Sequence, residues 1–296
     1  MGRYGGRITG GKINVDGTTY QLETGKDNNT LHGGGIGYNK VDWEVEAVSL
    51  GEQTGANASW ALFTYDSPDG EQNFPGNVSL MVNYTLTDAD ELIVDIAAVT
   101  DAATPINVFS HPYFNLGGLT SDNDTILDHL LTGRFVLLGN GQGDLQEMDG
   151  FVAAEPRQLA ATLVHPPSGR ALDILTTAPT LVLYTGAVFS MHLCSWSYRT
   201  AGNALKGKFE AKYGVRPQQW AAVALEATAF PEAGNQPAFP SPILRPGEEY
   251  RNQVVWRFYD VPPAPTPTEA PASASAASLA CPAVLAGGLL AALLLA

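Results

Sequence analysis

Cysteine is almost absent from this chain of 296 residues, with only Cys194 in the body and Cys281 near the end. That excludes a disulfide framework and the paired spacing of a zinc site. Basic residues are scarce too. Sixteen Lys and Arg stand against 30 Asp and Glu, a formal net charge of −14. Such a surface repels phosphates, which argues against nucleic acid as a partner. An uncharged ligand is compatible with it. Periodic segments of helical length are missing from the body, where "NALKGKFEAKYG" is the only weak candidate. No internal repeat is visible. The opening "MGRYGGRITGG" has no apolar stretch of the kind a secretory leader needs.

What is present is 45% hydrophobic, enough for a sizeable core. Short β-rich segments recur between turn signals: "KINVDGTTYQL", "WEVEAVSL", "WALFTYDSPDG", "SLMVNYTLTDADELIVDIAAV", "ALDILTT", "TLVLYTG", "WAAVALEAT" and "YRNQVVWRF". Asp16-Gly17 is a strong two-residue hairpin turn, and "DAD" marks a second. Many short strands of this kind predict an all-β sandwich or barrel over residues 1–260.

The chain changes character after that body. Residues 261–278 are rich in Pro, Ala, Ser and Thr, a linker that builds no core. Leu279 to Ala296 carry no charge, and 18 apolar or small residues are about the minimum for a membrane span. Small residues, a polar spacer and an apolar end form the pattern of a cleaved lipid-anchor signal, with a retained tail anchor as the alternative. Asn28, Asn57, Asn77, Asn83 and Asn123 each begin an N-x-Ser/Thr triplet, which points to a secretory compartment. These features together predict a glycosylated, lipid-anchored protein at the cell surface if a signal peptide lies upstream, and a cytoplasmic one otherwise.

Four polar residues in the body draw attention. In "VFSHPYFNLGG", Pro112 pushes His111 toward an extended backbone, so "PINVFS" reads as a strand and "NLGG" as the turn beyond it. His32 lies in "NTLHGGGIG", where glycines let a ligand approach the backbone. Arg7 heads "RITGGKI". Glu226 interrupts the apolar run "WAAVAL", where a carboxylate is costly to bury unless paired or functional.

In order along the chain, "GRYGGRITGGKINVDGTTYQL", "NNTLHGG", "HPYFNLGG", "LTTAPTLVLYTG" and "LEATAFPEAGNQPAFPSPILRPGEEY" resemble the aldose 1-epimerase (galactose mutarotase) family. The resemblance implies a large β-sandwich of the galactose mutarotase-like type. It also implies a free monosaccharide such as glucose or galactose as substrate, with no metal and no cofactor. Carried over residue by residue, it makes Glu226 the catalytic base and His111 the catalytic acid. His32 and Arg7 become substrate-binding residues. The family also carries strands ahead of these motifs, so a start upstream of Met1 is expected.

Three departures from the family pattern concern the substrate clamp. Gly6 stands where the family has Asn, and Val182 where it has Gln. The segment "GFVAAEPRQL" lacks the family's Asp-His pair. The competing reading is therefore a non-catalytic, carbohydrate-binding remnant of the same fold. A sugar-phosphate epimerase is a further reading, against which stands the lack of a Lys/Arg cluster near His32, His111 or Glu226.

Overall fold

Asp16 and Gly17 both adopt positive φ, 51° and 84°, the backbone that lets two strands reverse with the right twist. Lys12–Val15 and Thr18–Gln21 pair across this turn, Val15 opposite Thr18 and Ile13 opposite Tyr20. Ile13 and Val15 point inward while Lys12 and Asn14 face solvent. The "DAD" turn behaves alike: Asp90 has φ 57° and joins Val78–Thr87 to Glu91–Thr100.

The computed structural model describes residues 1–262, apart from 26, 52–56, 122–123, 134–135, 139–144, 148–156, 186–188, 191–198, 201–213 and 219. Its main frame is two sheets. The first has eight strands in the order Leu130–Gly133, Gln158–His165, Arg170–Thr176, Tyr250–Asp260, Glu91–Thr100, Val78–Thr87, Ala58–Ser67 and Glu44–Ser49, every neighbouring pair antiparallel. The second has five strands in the order Tyr113–Phe114, Val223–Thr228, Thr180–Tyr184, Val136–Leu138 and Leu145–Glu147.

The core lies between them. Leu80, Ile96, Leu163, Ile174, Val254 and Trp256 of the larger sheet pack in one cluster with Leu181, Val223, Leu225 and Ala227 of the smaller. Burying each such side chain contributes roughly 1.5–3 kcal/mol. Strand alternation then dictates what faces the other way. With Val223, Leu225 and Ala227 in the core, Ala224, Glu226 and Thr228 lie on the far face of the five-stranded sheet. All six residues of Val223–Thr228 are nonetheless buried, so that far face is covered as well.

Two features differ from the sequence expectations. "PINVFS" is not one strand. Only Thr104–Pro105 pair as a strand, with Ile243–Leu244, and His111 precedes the next strand, Tyr113–Phe114, rather than ending the last one. The reason lies in Asn107, Val108 and Phe109, whose backbone groups bond to other parts of the chain. Asn107 N donates to Arg3 O, Val108 N to the Tyr250 hydroxyl, and Phe109 N to Met1 O. The second feature is Arg3, which the sequence does not mark. It is only 2% exposed and donates to Pro75 O, Gly76 O, Pro68 O, the Ser67 hydroxyl and the Tyr38 hydroxyl. A buried guanidinium is tolerable when oxygens take up its donors in this way.

The helix candidate "NALKGKFEAKYG", apart from Gly214, lies outside the described residues, as does the tail Leu279 to Ala296. Among the described residues no helix is long and apolar enough to cross a membrane.

Asn107 ties the first residues to the second sheet. Its Nδ2 donates to Gly5 O at 2.7 Å and to Thr228 Oγ1 at 2.8 Å, and its Oδ1 accepts the Ala229 N–H at 3.0 Å. Asn107→Ala strands all three of these buried groups. The variant should lose about 3 kcal/mol of unfolding free energy, measured by urea denaturation with an unchanged slope.

Candidate active site

The far face of the five-stranded sheet is built by register. Val182 stands opposite Glu226 and Tyr184 opposite Ala224, while Tyr113 pairs with Ala224 from the other side. Cross-strand partners share a face. Glu226 is thus flanked by Val182 at its own level, with Tyr113 and Tyr184 two residues along the strand.

His111 reaches this face through the backbone that Pro112 imposes. Extended backbone from Phe109 to Tyr113 sends every second side chain to one side. The rings form a ladder: Phe109 to His111 at 6.1 Å and His111 to Tyr113 at 5.1 Å, the latter pair stacked. Phe109 is buried and Tyr113 exposed, so the ladder runs from the core to the surface. His111 Nε2 lies 3.2 Å from Glu226 Oε1, with both side chains under 10% exposed (8% and 6%).

Burial sets the charge state of this pair. It pushes the Glu226 carboxyl up to about 8, against the opposing charge of the Met1 amino group. It pushes the His111 imidazole down from its ordinary value. Both shifts favour the uncharged forms, a protonated carboxyl beside a neutral imidazole. Burial also pushes the Tyr113 phenol up to about 12 and raises that of Tyr184, with the Glu226 charge adding to both. Both stay hydroxyl donors at neutral pH.

His32 meets His111 edge to face at 5.4 Å between ring centroids. Its Nδ1 accepts the Gly6 N–H at 3.2 Å. That bond places the proton on Nε2 and makes His32 a fixed donor. Desolvation, reinforced by the nearby charges of His111, Met1 and Arg7, pushes its imidazole down to about 3, so it stays neutral. The backbone there is unusual for a residue with a side chain, at φ 52°. The next residue explains it. A Cβ on Gly33 would lie 2.0 Å from Gly2 O, so only glycine lets the loop pass this close.

Arg7 is brought to the same side by the short pairing of Arg7–Ile8 with Thr30–Leu31. Its Nη1 bonds Asp27 Oδ2 at 2.6 Å. Asn29, then Arg7, hold the Asp27 carboxyl below its usual range by hydrogen bonding. Arg7 remains about one-third exposed (37%). The four residues singled out in the sequence therefore gather on one side of the molecule, with His111 and Glu226 in contact.

Sequence reasoning placed the aromatic neighbours of His111 against a sugar but did not find Asp27 or Tyr184 as members of this group. Strand register with Glu226 is the signal that finds Tyr184. Val182 stands directly opposite Glu226 and is only 2% exposed, so that position offers the carboxyl no side-chain hydrogen bond. Gly6 is different, since a Cβ there meets nothing within 4 Å; its N–H serves His32 instead.

The comparisons with known proteins point the same way. The model of the aldose 1-epimerase family matches residues 1–257. The chain is 34% identical to the galactose mutarotase of Homo sapiens over 290 residues, covering 87% of this chain and 77% of that protein. It is 28% identical to the aldose 1-epimerase of Escherichia coli strain K12 over 297 residues, covering 87% of this chain and 78% of that one. The crystal structure of a GalM/aldose epimerase homologue from C. elegans shares the fold, with a TM-score of 0.69 at 21% identity over 88% of this chain and 82% of that one. With the match running from the first residue through the last long strand, and with Glu226 and His111 side by side on the far face of the smaller sheet, the chain belongs to the aldose 1-epimerase family.

Proposed function

We propose that this protein interconverts the α and β anomers of a free aldohexose by opening and reclosing its ring. The observation that carries the reading is the buried contact between His111 Nε2 and Glu226 Oε1 at 3.2 Å. Ring opening removes a proton from the anomeric hydroxyl and adds one to the ring oxygen. Both oxygens are bonded to the same carbon, so base and acid must stand side by side.

Glu226 as carboxylate takes the hydroxyl proton while His111 as imidazolium protonates the ring oxygen. The bond between the anomeric carbon and the ring oxygen breaks, leaving an open-chain aldehyde. Rotation about the adjoining carbon–carbon bond turns the aldehyde, and the same proton transfers run backwards on its other face. The pair ends with the one proton it began with. Burial favours that proton on the carboxyl. The reactive form differs only by its transfer across the contact, so no proton need come from solvent. General acid-base help of this kind contributes roughly 10²- to 10⁴-fold.

The surrounding groups fit a sugar. His32 offers a fixed Nε2–H, Arg7 a guanidinium held by Asp27, and Tyr113 an exposed ring face for the apolar side of a pyranose. Val182 and Gly6 supply no side-chain hydrogen bond at two places, which predicts weaker discrimination among epimeric sugars.

The charge states give a pH profile. On the acid side the pair gains a second proton on His111 and loses its base. On the alkaline side it loses its proton and the acid is gone. kcat/KM for mutarotation, followed by polarimetry on freshly dissolved α-glucose or α-galactose, should be bell-shaped. The acid limb should lie below the ordinary imidazole value of 6.5 and the alkaline limb near 8. A flat profile across that range would exclude this pair as acid and base.

Glu226→Gln should lower kcat by about 100-fold or more while stabilising the fold. The folded carboxyl keeps its proton up to about 8, whereas its ordinary value is 4.5. Between those values only the unfolded chain has released the proton, so wild-type stability falls as pH rises through the window. The amide has no such term. The variant's advantage in denaturant titrations should be small at pH 4 and reach ~2 kcal/mol or more at pH 8.

A further inference from the structure

Three titratable side chains stand together outside the acid-base pair. Asp128 Oδ1 lies 3.0 Å from His129 Nδ1, and Asp128 Oδ2 lies 3.1 Å from His165 Nε2. The two rings are 4.7 Å apart, and both imidazoles are mostly buried while Asp128 is half exposed. Atoms able to ligate a metal come within 4.8 Å of one another here. The hydrogen bonds speak against a metal. His129 Nε2 accepts the Leu116 N–H at 2.9 Å, which puts the ring proton on Nδ1. A metal on Nδ1 would move that proton to Nε2, facing another donor. A carboxylate only accepts, so His165 Nε2–H also donates to Asp128, leaving Nδ1 to the Ser168 hydroxyl at 2.7 Å. Burial lowers the His129 imidazole despite its bond to Asp128, in keeping with a neutral, accepting ring.

The surroundings grip one residue, Leu116, at both its peptide groups. Leu116 gives its N–H to His129, and its carbonyl accepts Arg170 Nη1 at 2.8 Å. A Cβ on Gly117 would lie 3.1 Å from His165 Nε2, so the ring sits directly on the chain. Asn115 Nδ2 donates to Ala221 O at 2.8 Å, just ahead of the strand that carries Glu226. This gripped segment directly follows Tyr113–Phe114, which pairs with Val223–Thr228 at only two positions, Tyr113 with Ala224 and Phe114 with Val223. Two pairs are too few to hold a register alone.

We propose that Asp128, His129 and His165 are positioning residues, holding the chain at Leu116 and Gly117 so that Tyr113–Phe114 keeps its register and His111 stays against Glu226. This inference rests on the reading of His111 and Glu226 as the reacting pair. Its test includes a readout that needs no sugar. The chain has five histidines, few enough for their imidazole signals to be followed by NMR.

In His129→Ala the Leu116 end loosens, water reaches His111, and its titration should rise toward the ordinary value. kcat should fall about 10- to 100-fold, with KM within about threefold and the alkaline limb of the pH profile displaced. His129→Gln, whose amide oxygen can accept the Leu116 N–H, should recover most of both. If His129→Ala does not fold, Ser168→Ala should show the same changes in smaller measure. Lower melting temperatures with the His111 titration, kcat and pH profile unmoved would overturn the proposal. So would saturable zinc binding by the wild-type protein that Asp128→Asn abolishes. Should the wild-type protein show no mutarotation, the proposed reaction fails. A displaced His111 titration in the variants would still support the positioning role, and an undisplaced one would end it.

Discussion

A carboxyl group nearly without water sets the terms for the rest of this molecule. Glu226 sits mid-strand with core on one side of its sheet and a covered cleft on the other, and its Oε1 lies 3.2 Å from His111 Nε2. Leaving a carboxylate alone in such a place costs several kcal/mol. Sharing one proton with an imidazole avoids most of that cost and keeps the group reactive. Everything that fixes His111 therefore also fixes the protonation of Glu226. The list includes the extended backbone before Pro112, the ring ladder from Phe109 to Tyr113, and the Asn107 strut that joins the first residues to Thr228.

The sequence carried the local signals well, because they depend on neighbours a few residues away. Asp16-Gly17 and the "DAD" turn produced the hairpins they foretold, and each of the eight β-rich segments between turn signals contains a strand. The odd carboxylate in an apolar run, Glu226, and the histidine before a proline, His111, were conspicuous because each breaks a local rule. What failed were features set by distant partners. "PINVFS" looks like a strand, yet Asn107, Val108 and Phe109 spend their backbone groups on Arg3, Tyr250 and Met1. Nothing beside Arg3 announces that residues 67–76 will surround its guanidinium. Tyr184 is unremarked in sequence because its relation to Glu226 exists only through register. His129 and His165 are separated by residues that form several strands, so their common contact with Asp128 has no sequence spacing to betray it.

Four of the five histidines fall into two groups with opposite chemistry. His32 and His111 line the cleft, where one is a locked donor and the other half of a proton-sharing pair. His129 and His165 both donate to a half-exposed aspartate and hold the chain at Leu116 and Gly117. Burial keeps His32, His111 and His129 from charging easily. The fold thus uses neutral imidazole as a directional element, in which the partner of one nitrogen dictates what the other can do. Val182 adds a contrast, an apolar side chain at the cross-strand position opposite Glu226. In the proposed reaction the proton-transfer pair and the position that would tell sugars apart are therefore physically separable.

The place of Tyr250–Asp260 has a consequence for how the chain is made. It is the last strand in sequence among the described residues, yet it lies inside the eight-stranded sheet, between Arg170–Thr176 and Glu91–Thr100. Until it is synthesised, the larger sheet is two half-sheets, each ending in an open row of backbone donors and acceptors. Such rows pair readily with one another or with another chain. Vectorial synthesis leaves them bare longest in this topology, and completion waits for one segment to slide between two formed edges. Loss of the chain from residue 250 onward would remove the middle of the sheet rather than trim its border, and the two halves would have no shared strand to hold them.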